Sequence, residues 1–320
     1  MTTQYLRKAS LIVGDDTGDA LDFSEFRIVF QVRRGDVQTP NSALIKVYNV
    51  APNTAAKALK DYTRVRLSAG YGAIPGLIFD GIIKQSWVGR ESATDTFLAI
   101  SAASGDAWYN NAVISKTFAA GSTVADHILA VTETLPKYGL SVGYIPEFQS
   151  NPLPRGQVFF GMARNAMRNI AQNLGADWSI QDTKFQIVPK DSFIPSEVVE
   201  VNSDSGMVGT PTQTQNGVDV LTLLNSNLRV STLIKLDNDS IQRYQYGLSV
   251  ADTESNSNAK YFGRLNSSGY YKILTCDHTG DTLGGPWYSS LKCISADLTT
   301  APQFIRNKSV AGPGAVKPWG

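Results

Sequence analysis

Two regions of this chain, far apart in sequence, present strand-forming segments in the same order, and that repetition constrains the fold more than any single motif does. The first region closes with Leu77-Ile78-Phe79-Asp80-Gly81-Ile82-Ile83-Lys84-Gln85, a polar turn, and Thr96-Phe97-Leu98-Ala99-Ile100-Ser101-Ala102. The later region closes with Tyr270-Tyr271-Lys272-Ile273-Leu274-Thr275-Cys276-Asp277-His278, a turn over residues 279–286, and Ser290-Leu291-Lys292-Cys293-Ile294-Ser295-Ala296. Upstream, Val65-Arg66-Leu67-Ser68-Ala69 has its counterpart in Ile234-Lys235-Leu236-Asp237-Asn238. Residue identity between the two is slight; the order of the elements is what marks a duplicated unit.

Strand patterns fill the rest of the first region. Residues 26–33 alternate apolar and polar side chains, the period of a half-buried strand. Residues 43–50 form another, introduced by the turn residues Thr39-Pro40-Asn41-Ser42. A short helix over 53–59 leads to a strand over 64–71. Strands over 77–87 and 95–102 then flank the turn Gly89-Arg90-Glu91-Ser92. An antiparallel sheet with no long helix must curl or close to bury its apolar face. Residues 1–104 are therefore expected to form a β-barrel.

The middle of the chain changes character. Residues 122–131 read as a helix opened by a Ser/Thr cap, with Ile128, Val131 and Leu135 on one face. Residues 144–155 contain Pro146, Pro152 and Pro154 and read as extended chain. A second helix is expected over 160–174, its apolar positions Phe160, Ala163, Met167, Ile170, Ala171 and Leu174 spaced three or four apart, with Gly175 as the stop. Asp177-Trp178-Ser179-Ile180-Gln181 and Lys184-Phe185-Gln186-Ile187-Val188 form a hairpin around Asp182-Thr183. Residues 105–192 are expected to be a compact α/β insert.

Strand patterns return over 218–224, 232–236, 270–278 and 288–295, giving a second barrel over 193–298. Residues 250–268 are rich in Ser, Asn, Asp and Gly and read as a long exposed loop. Residues 299–320, with Pro302, Gly312, Pro313, Gly314 and Pro318, read as an irregular C-terminal tail. The expected class is thus mainly β (α+β): two similar antiparallel β-barrels separated by a small α/β insert.

Composition mostly excludes. Lys and Arg number 29 against 28 Asp and Glu, a formal charge of +1. That balance argues against non-specific nucleic-acid binding, which needs clustered cations to displace counterions, yet it is compatible with a locally charged channel. No run approaches the roughly 20 apolar residues of a membrane-spanning helix. The first residues lack the apolar core and cleavage pattern of a signal peptide. The expectation is a chain made and kept in the cytoplasm until its assembly is released.

Catalytic motifs do not emerge. A glycosidase needs two flanking carboxylates, and Glu133, Glu147, Asp177 and Asp182 fall in no recognisable pairing, so they read as solvated surface groups. The two histidines, His127 and His278, form no zinc-peptidase motif. Cys276, His278 and Cys293 are the one plausible metal set, but a structural zinc usually takes four ligands; two core thiols and a turn-proximal His are the preferred reading. Gly280-Asp281-Thr282-Leu283-Gly284-Gly285 joins two strands and reads as a hairpin loop rather than a phosphate cradle. Trp87, Trp108, Trp178 and Trp287 read as core or interface anchors. Trp319, beside Pro318 in the tail, is an indole that a partner would bury, so Pro318 and Trp319 are the candidate interface residues. No catalytic residue, cofactor or metal is expected.

The stretch Gly206-Met207-Val208-Gly209-Thr210-Pro211-Thr212-Gln213-Thr214-Gln215-Asn216-Gly217-Val218, followed by Leu223-Leu224-Asn225-Ser226-Asn227-Leu228-Arg229, resembles the baseplate hub proteins of contractile phage tails. That family is related to late-control protein D and to the base of type VI secretion spikes. Gly269-Tyr270-Tyr271-Lys272, His278-Thr279-Gly280-Asp281 with Trp287-Tyr288, residues 26–49 and residues 71–81 follow the same pattern. The resemblance implies a non-enzymatic homotrimer. Each chain would give two barrels to a pseudo-sixfold ring that joins a sixfold tail tube, or its initiator protein, to a threefold central spike. Genomic DNA would pass through without sequence-specific binding, other baseplate proteins would surround the ring, and the location would be the virion tail baseplate, assembled in the host cytoplasm. Two alternatives stay open: a peptidoglycan-acting enzyme or cell-wall-binding module housed in residues 105–192, and the hub of a tailocin or secretion device.

Overall fold

The computed structural model describes residues 6–296 except 16–17, 61, 73–74, 149–150, 215–216 and 238–268. The expected loop over 250–268, the tail over 299–320, and with it Pro318 and Trp319, lie outside the described residues.

The first region contains β1 (Arg7–Gly14), β2 (Ala20–Asp22), β3 (Ile28–Arg33), β4 (Ser42–Tyr48), helix α1 (Pro52–Lys60), β5 (Arg64–Tyr71), β6 (Gly76–Arg90) and β7 (Thr96–Ala103). Alternation decides which side chains go inward: Ile28, Phe30 and Val32 of β3, with Ile45 and Val47 of β4, are buried to 1% exposure or less. β1 and β2 were not foreseen. Their residues follow no clean alternation, and β1 is held in place by its eight-rung pairing with β5, from Arg7↔Tyr71 to Gly14↔Arg64.

The middle region contains α2 (Asp106–Asn111), β8 (Val113–Phe118), α3 (Val124–Thr132), β9 (Ser141–Val142), β10 (Gln157–Met162), α4 (Ala163–Asn173), β11 (Ala176–Gln181) and β12 (Lys184–Pro189). α3 begins with a capping box in which Thr123 and Asp126 satisfy each other's backbone N–H. The hairpin β11–β12 turns through Asp182 at φ 49 and Thr183 at φ 66, the double left-handed geometry that matches strand twist. One expectation fails here. Phe160 does not open a helix but lies in β10, opposite Ser115 of β8, and is 88% exposed. α4 starts three residues later, because the β8–β10 ladder claims the backbone hydrogen bonds that a longer helix would need.

The last region contains β13 (Val199–Val201), β14 (Thr212–Thr214), β15 (Gly217–Leu223), β16 (Leu233–Leu236), β17 (Tyr270–Asp281) and β18 (Trp287–Ser295). It does not form a separate sheet. β17 pairs with β3, so the described strands of the first and last regions run as one sheet in the order β14-β15-β18-β17-β3-β4-β7-β6-β5-β1-β2, with β16 beside β17 and β13 beside β16. The suspected duplication appears in this order. β3-β4-β7-β6-β5 in the first half is answered by β14-β15-β18-β17-β16 in the second. The halves differ at the next strand, where β1 is antiparallel to β5 but β13 is parallel to β16.

Four apolar clusters lie among the described residues, the smallest formed by Phe193, Leu233 and Ala296. The first gathers Leu11, Phe30, Ile45, Leu67, Phe79 and Ile100 from six strands, so the sheet curls strongly around them. Leu224 and Trp287 of the last region also belong to this core. The second packs Trp108, Trp178 and Phe185 between α3, α4 and the β11–β12 hairpin. The third holds Val220, Ile234, Tyr271, Cys276, Leu291 and Cys293.

Candidate assembly interface

The joint between the two halves is the most elaborated place in the fold. β17 meets β3 in an antiparallel ladder from His278↔Val32 to Asp281↔Val29. At one end Asp281 takes a two-pronged contact from Arg27, 3.3 Å from Nε and 2.8 Å from Nη2. The Arg27 hydrogen bonds hold the Asp281 carboxyl below its usual range. Phe30 and Trp287 pack edge to face across the joint, ring centroids 5.5 Å apart.

His278 sits inside this joint with no solvent exposure. Its Nδ1 is 2.8 Å from Ser289 Oγ and its Nε2 is 3.4 Å from Cys276 Sγ. Burial, with a smaller contribution from Arg34, pushes its pKa down to about 3, so the ring is neutral at ordinary pH. Burial likewise pushes the Cys276 thiol up to about 12 and raises that of Cys293. Cys276 and His278 therefore do come together, as their spacing suggested. No group of three metal-ligating side chains assembles among the described residues, and both thiols behave as small core hydrophobes.

At the other end of β3 all three regions converge. Arg34 Nη2 lies 2.7 Å from Asp182 Oδ2, with side-chain exposures of 2% and 8%. Arg34 also donates to Ile78 O at 3.3 Å and to Gln181 Oε1 at 3.4 Å. Asn41 donates to the same Gln181 oxygen and to Ile180 O, and Gln181 Nε2 donates back to Gly35 O at 3.0 Å. The β11–β12 turn is thereby locked onto the β3–β4 connection. β17 joins from its own side: Cys276 N–H donates to Arg34 O and Asp36 N–H to Leu274 O. Lys272 Nζ stands 3.5 Å from Asp36 Oδ2, both side chains buried.

This cluster overturns one expectation. Asp182 is not a solvated surface carboxylate but half of a buried ion pair. Burial and the nearby Asp36 raise the pKa of Asp177. Glu133 pairs with Lys116 at 2.7 Å, and Glu147 is exposed. The four carboxylates thus serve different surroundings rather than one site. Arg34, Asn41 and Gln181 carried no warning in the sequence, because their partners lie far along the chain and no local pattern links them. Of the tryptophans, Trp108, Trp178 and Trp287 are fully buried, whereas Trp87 on β6 is 37% exposed.

The strand order can be set against solved structures. A tail protein from Neisseria meningitidis superposes with a TM-score of 0.57 at 9% identity, over 91% of this chain and 97% of that one. The 43 kDa tail protein of prophage MuSo2 from Shewanella oneidensis gives 0.57 at 8% identity, over 91% and 99%. The E. coli c3393 protein, a component of the type VI secretion system with structural similarity to bacteriophage tail proteins, gives 0.52 at 9% identity, over 92% and 77%. No protein-family model matches the chain, and no curated protein matches it in sequence. The chain therefore carries the mainly β fold seen in phage tail proteins and in this secretion component. At such low identity the likeness is one of fold, and it extends over nearly the whole length of both tail proteins.

Proposed function

We propose that the chain is the structural hub of a contractile phage tail. In this reading residues 1–104 and 193–298 are two curled, barrel-like lobes, residues 105–192 are an insert fastened to them, and residues 299–320 are an arm that docks on a neighbouring protein through Pro318 and Trp319. Three copies form a ring of six similar lobes. One face meets the sixfold tail tube or its initiator, the other meets the threefold central spike, other baseplate proteins surround it, and DNA passes through the middle.

The observation that carries this reading is the repeated strand order, β3-β4-β7-β6-β5 and β14-β15-β18-β17-β16. A chain built of two like units, arranged threefold, offers near-sixfold symmetry to one partner and threefold symmetry to another. The role is mechanical and asks for no catalytic group. The superposition on the secretion component favours a second reading, the hub of a secretion device, which differs in the particle and not in the chemistry.

Mass measurement of the purified protein, with electron microscopy of the particles, tests the proposal. Rings with the mass of three chains and an open centre are expected; a chain that stays monomeric at tens of micromolar, or that forms twofold dimers, would overturn it. Zymography on cell-wall substrate separates the hub from an enzyme. Clearing by the purified chain that is lost on mutating an insert carboxylate would replace this reading.

A further inference from the structure

The Lys272–Asp36 pair is the least satisfied contact where the three regions meet. Lys272 Nζ stands 3.5 Å from Asp36 Oδ2, with side-chain exposures of 5% and 4%. Among the described residues neither oxygen of Asp36 has a hydrogen-bond partner, Lys272 included. A buried ion pair normally offsets its lost hydration through short charged hydrogen bonds, and Asp36 accepts none. The amine is therefore close to the carboxyl without being directed onto an oxygen lone pair.

Backbone pairing holds the two residues in this relation. Asp36 N–H donates to Leu274 O at 2.8 Å, and Gly35 bridges to Thr275. The turn after β3 is thereby fixed against β17 two residues beyond Lys272. Across the ladders Lys272 faces Leu233 and Ile294. Directly opposed residues share a face, and Leu233 clusters there with Phe193 and Ala296, so the surroundings of Lys272 are apolar. A third group lies within electrostatic reach of both partners. Asp177 of β11 has its pKa raised by burial and by Asp36, with Lys190 and Lys272 opposing. A carboxyl raised in this way is suited to holding a proton and passing it on.

We propose that Lys272 and Asp36 condense to an amide within the folded chain, with Asp177 as the proton relay beside them. Lys272 gives one proton to the Asp36 carboxylate, and the freed lone pair on Nζ attacks Cγ. The Nζ–Cγ bond forms, one Cγ–O bond breaks, and that oxygen departs as water. Asp177 gives its proton to the leaving oxygen and takes one from the nitrogen, ending as it began. An ammonium and a carboxylate thus become one amide and one water; charge is conserved and no oxidant is needed. Reactants held in contact reach effective concentrations of about 10⁵ M and above. One neutral amide also replaces two buried charges, whose removal from water is the chief cost of such a pair. The bond forms within a single chain and needs no second copy, so it does not rest on the ring proposed above. It ties the first region to the last beside the β17–β3 ladder.

Mass spectrometry of the full chain, purified folded and then denatured and reduced, tests the bond. The chain should be lighter than its sequence by one water molecule. Trypsin should fail to cut after Lys272, and a branched peptide should join the segment containing Asp36 to the one containing Lys272. Lys272→Met and Asp36→Ala should each show the full mass of their own sequences. Asp177→Asn should leave most chains unlinked, and Asp177→Glu, which keeps the acid, should restore the link; a purely structural role for Asp177 would not separate the two. Wild-type chain at full sequence mass and cut after Lys272 overturns the bond, leaving an ordinary ion pair. Loss of water without the branched peptide places the dehydration elsewhere and overturns it equally. An Asp177→Asn chain that links as the wild type does overturns the relay alone. The wild-type peptide map decides the bond even where a variant fails to fold.

Discussion

The Arg34–Asp182 pair offers a quantitative test of how the insert is held. Arg34→Met keeps a long side chain but removes the cation, leaving the Asp182 carboxylate in a place where its side chain has 8% exposure. Stranding one member of a buried pair costs about 3–5 kcal/mol. Asp182→Asn is gentler, because Asn tolerates the left-handed φ of 49 at the hairpin turn. It also leaves Arg34 its hydrogen bonds to Ile78 and Gln181, so the expected loss is that of one charged hydrogen bond, about 1.5–3 kcal/mol. The double variant strands neither charge, and its cost should fall short of the sum by at least ~1 kcal/mol, as for residues in one network. Urea unfolding followed by both tryptophan fluorescence and far-ultraviolet circular dichroism measures all three. Trp108 and Trp178 report on the insert, and the dichroism reports on the sheet. Single-variant costs below ~1 kcal/mol, or costs that add within ~0.5 kcal/mol, would refute the account of the joint as a coupled buried network.

Three further outcomes are expected. His278 is held neutral, with its pKa depressed from 6.5 to about 3, so protonation favours the unfolded chain and stability should be complete above pH 6.5. It should decline by about 1.4 kcal/mol per pH unit below that as far as the folded value; unfolding curves from pH 7 to 4 test this, and His278→Gln should flatten the slope. Gly280→Ala would drive a methyl group into the Phe30 ring at the β17–β3 joint, so a destabilisation of about 1–3 kcal/mol should appear as a lower melting temperature; an unchanged value would mean the joint is looser than described. Removing residues 299–320 should weaken assembly measured by sedimentation while leaving the circular dichroism of the isolated chain intact, and loss of that spectrum would place the segment in the core instead.

Much of the fold was legible locally. Alternation marked β3, β4, β5, β7, β15 and β18, the three-and-four spacing marked most of α4, and the turn residues around Asp182 marked a hairpin. Failures came where long-range pairing outvotes local pattern. Arg7 to Gly14 becomes a strand because β5 offers it eight rungs, and Phe160 is taken from the expected helix by β8. The repeated order of segments has its counterpart in the strand order of the two halves. It could not announce that they share a sheet, because that depends on four residues of β17 finding β3. The same applies to the buried cluster at the joint. Arg34 and Asp182 are 148 positions apart, and each alone looks like an ordinary surface charge.

The reach of β17 also has a consequence for synthesis. Arg27 and Asp281 are 254 positions apart, so the β3 edge emerges long before the strand that covers it. Pairings of such separation form slowly, since loop closure must precede any gain from contact. During that interval β3 of a growing chain is an open template, and any strand that adds there first excludes β17. The Arg27–Asp281 clasp and the edge-to-face packing of Phe30 on Trp287 are contacts only the native strand brings, so they select it over such a substitute.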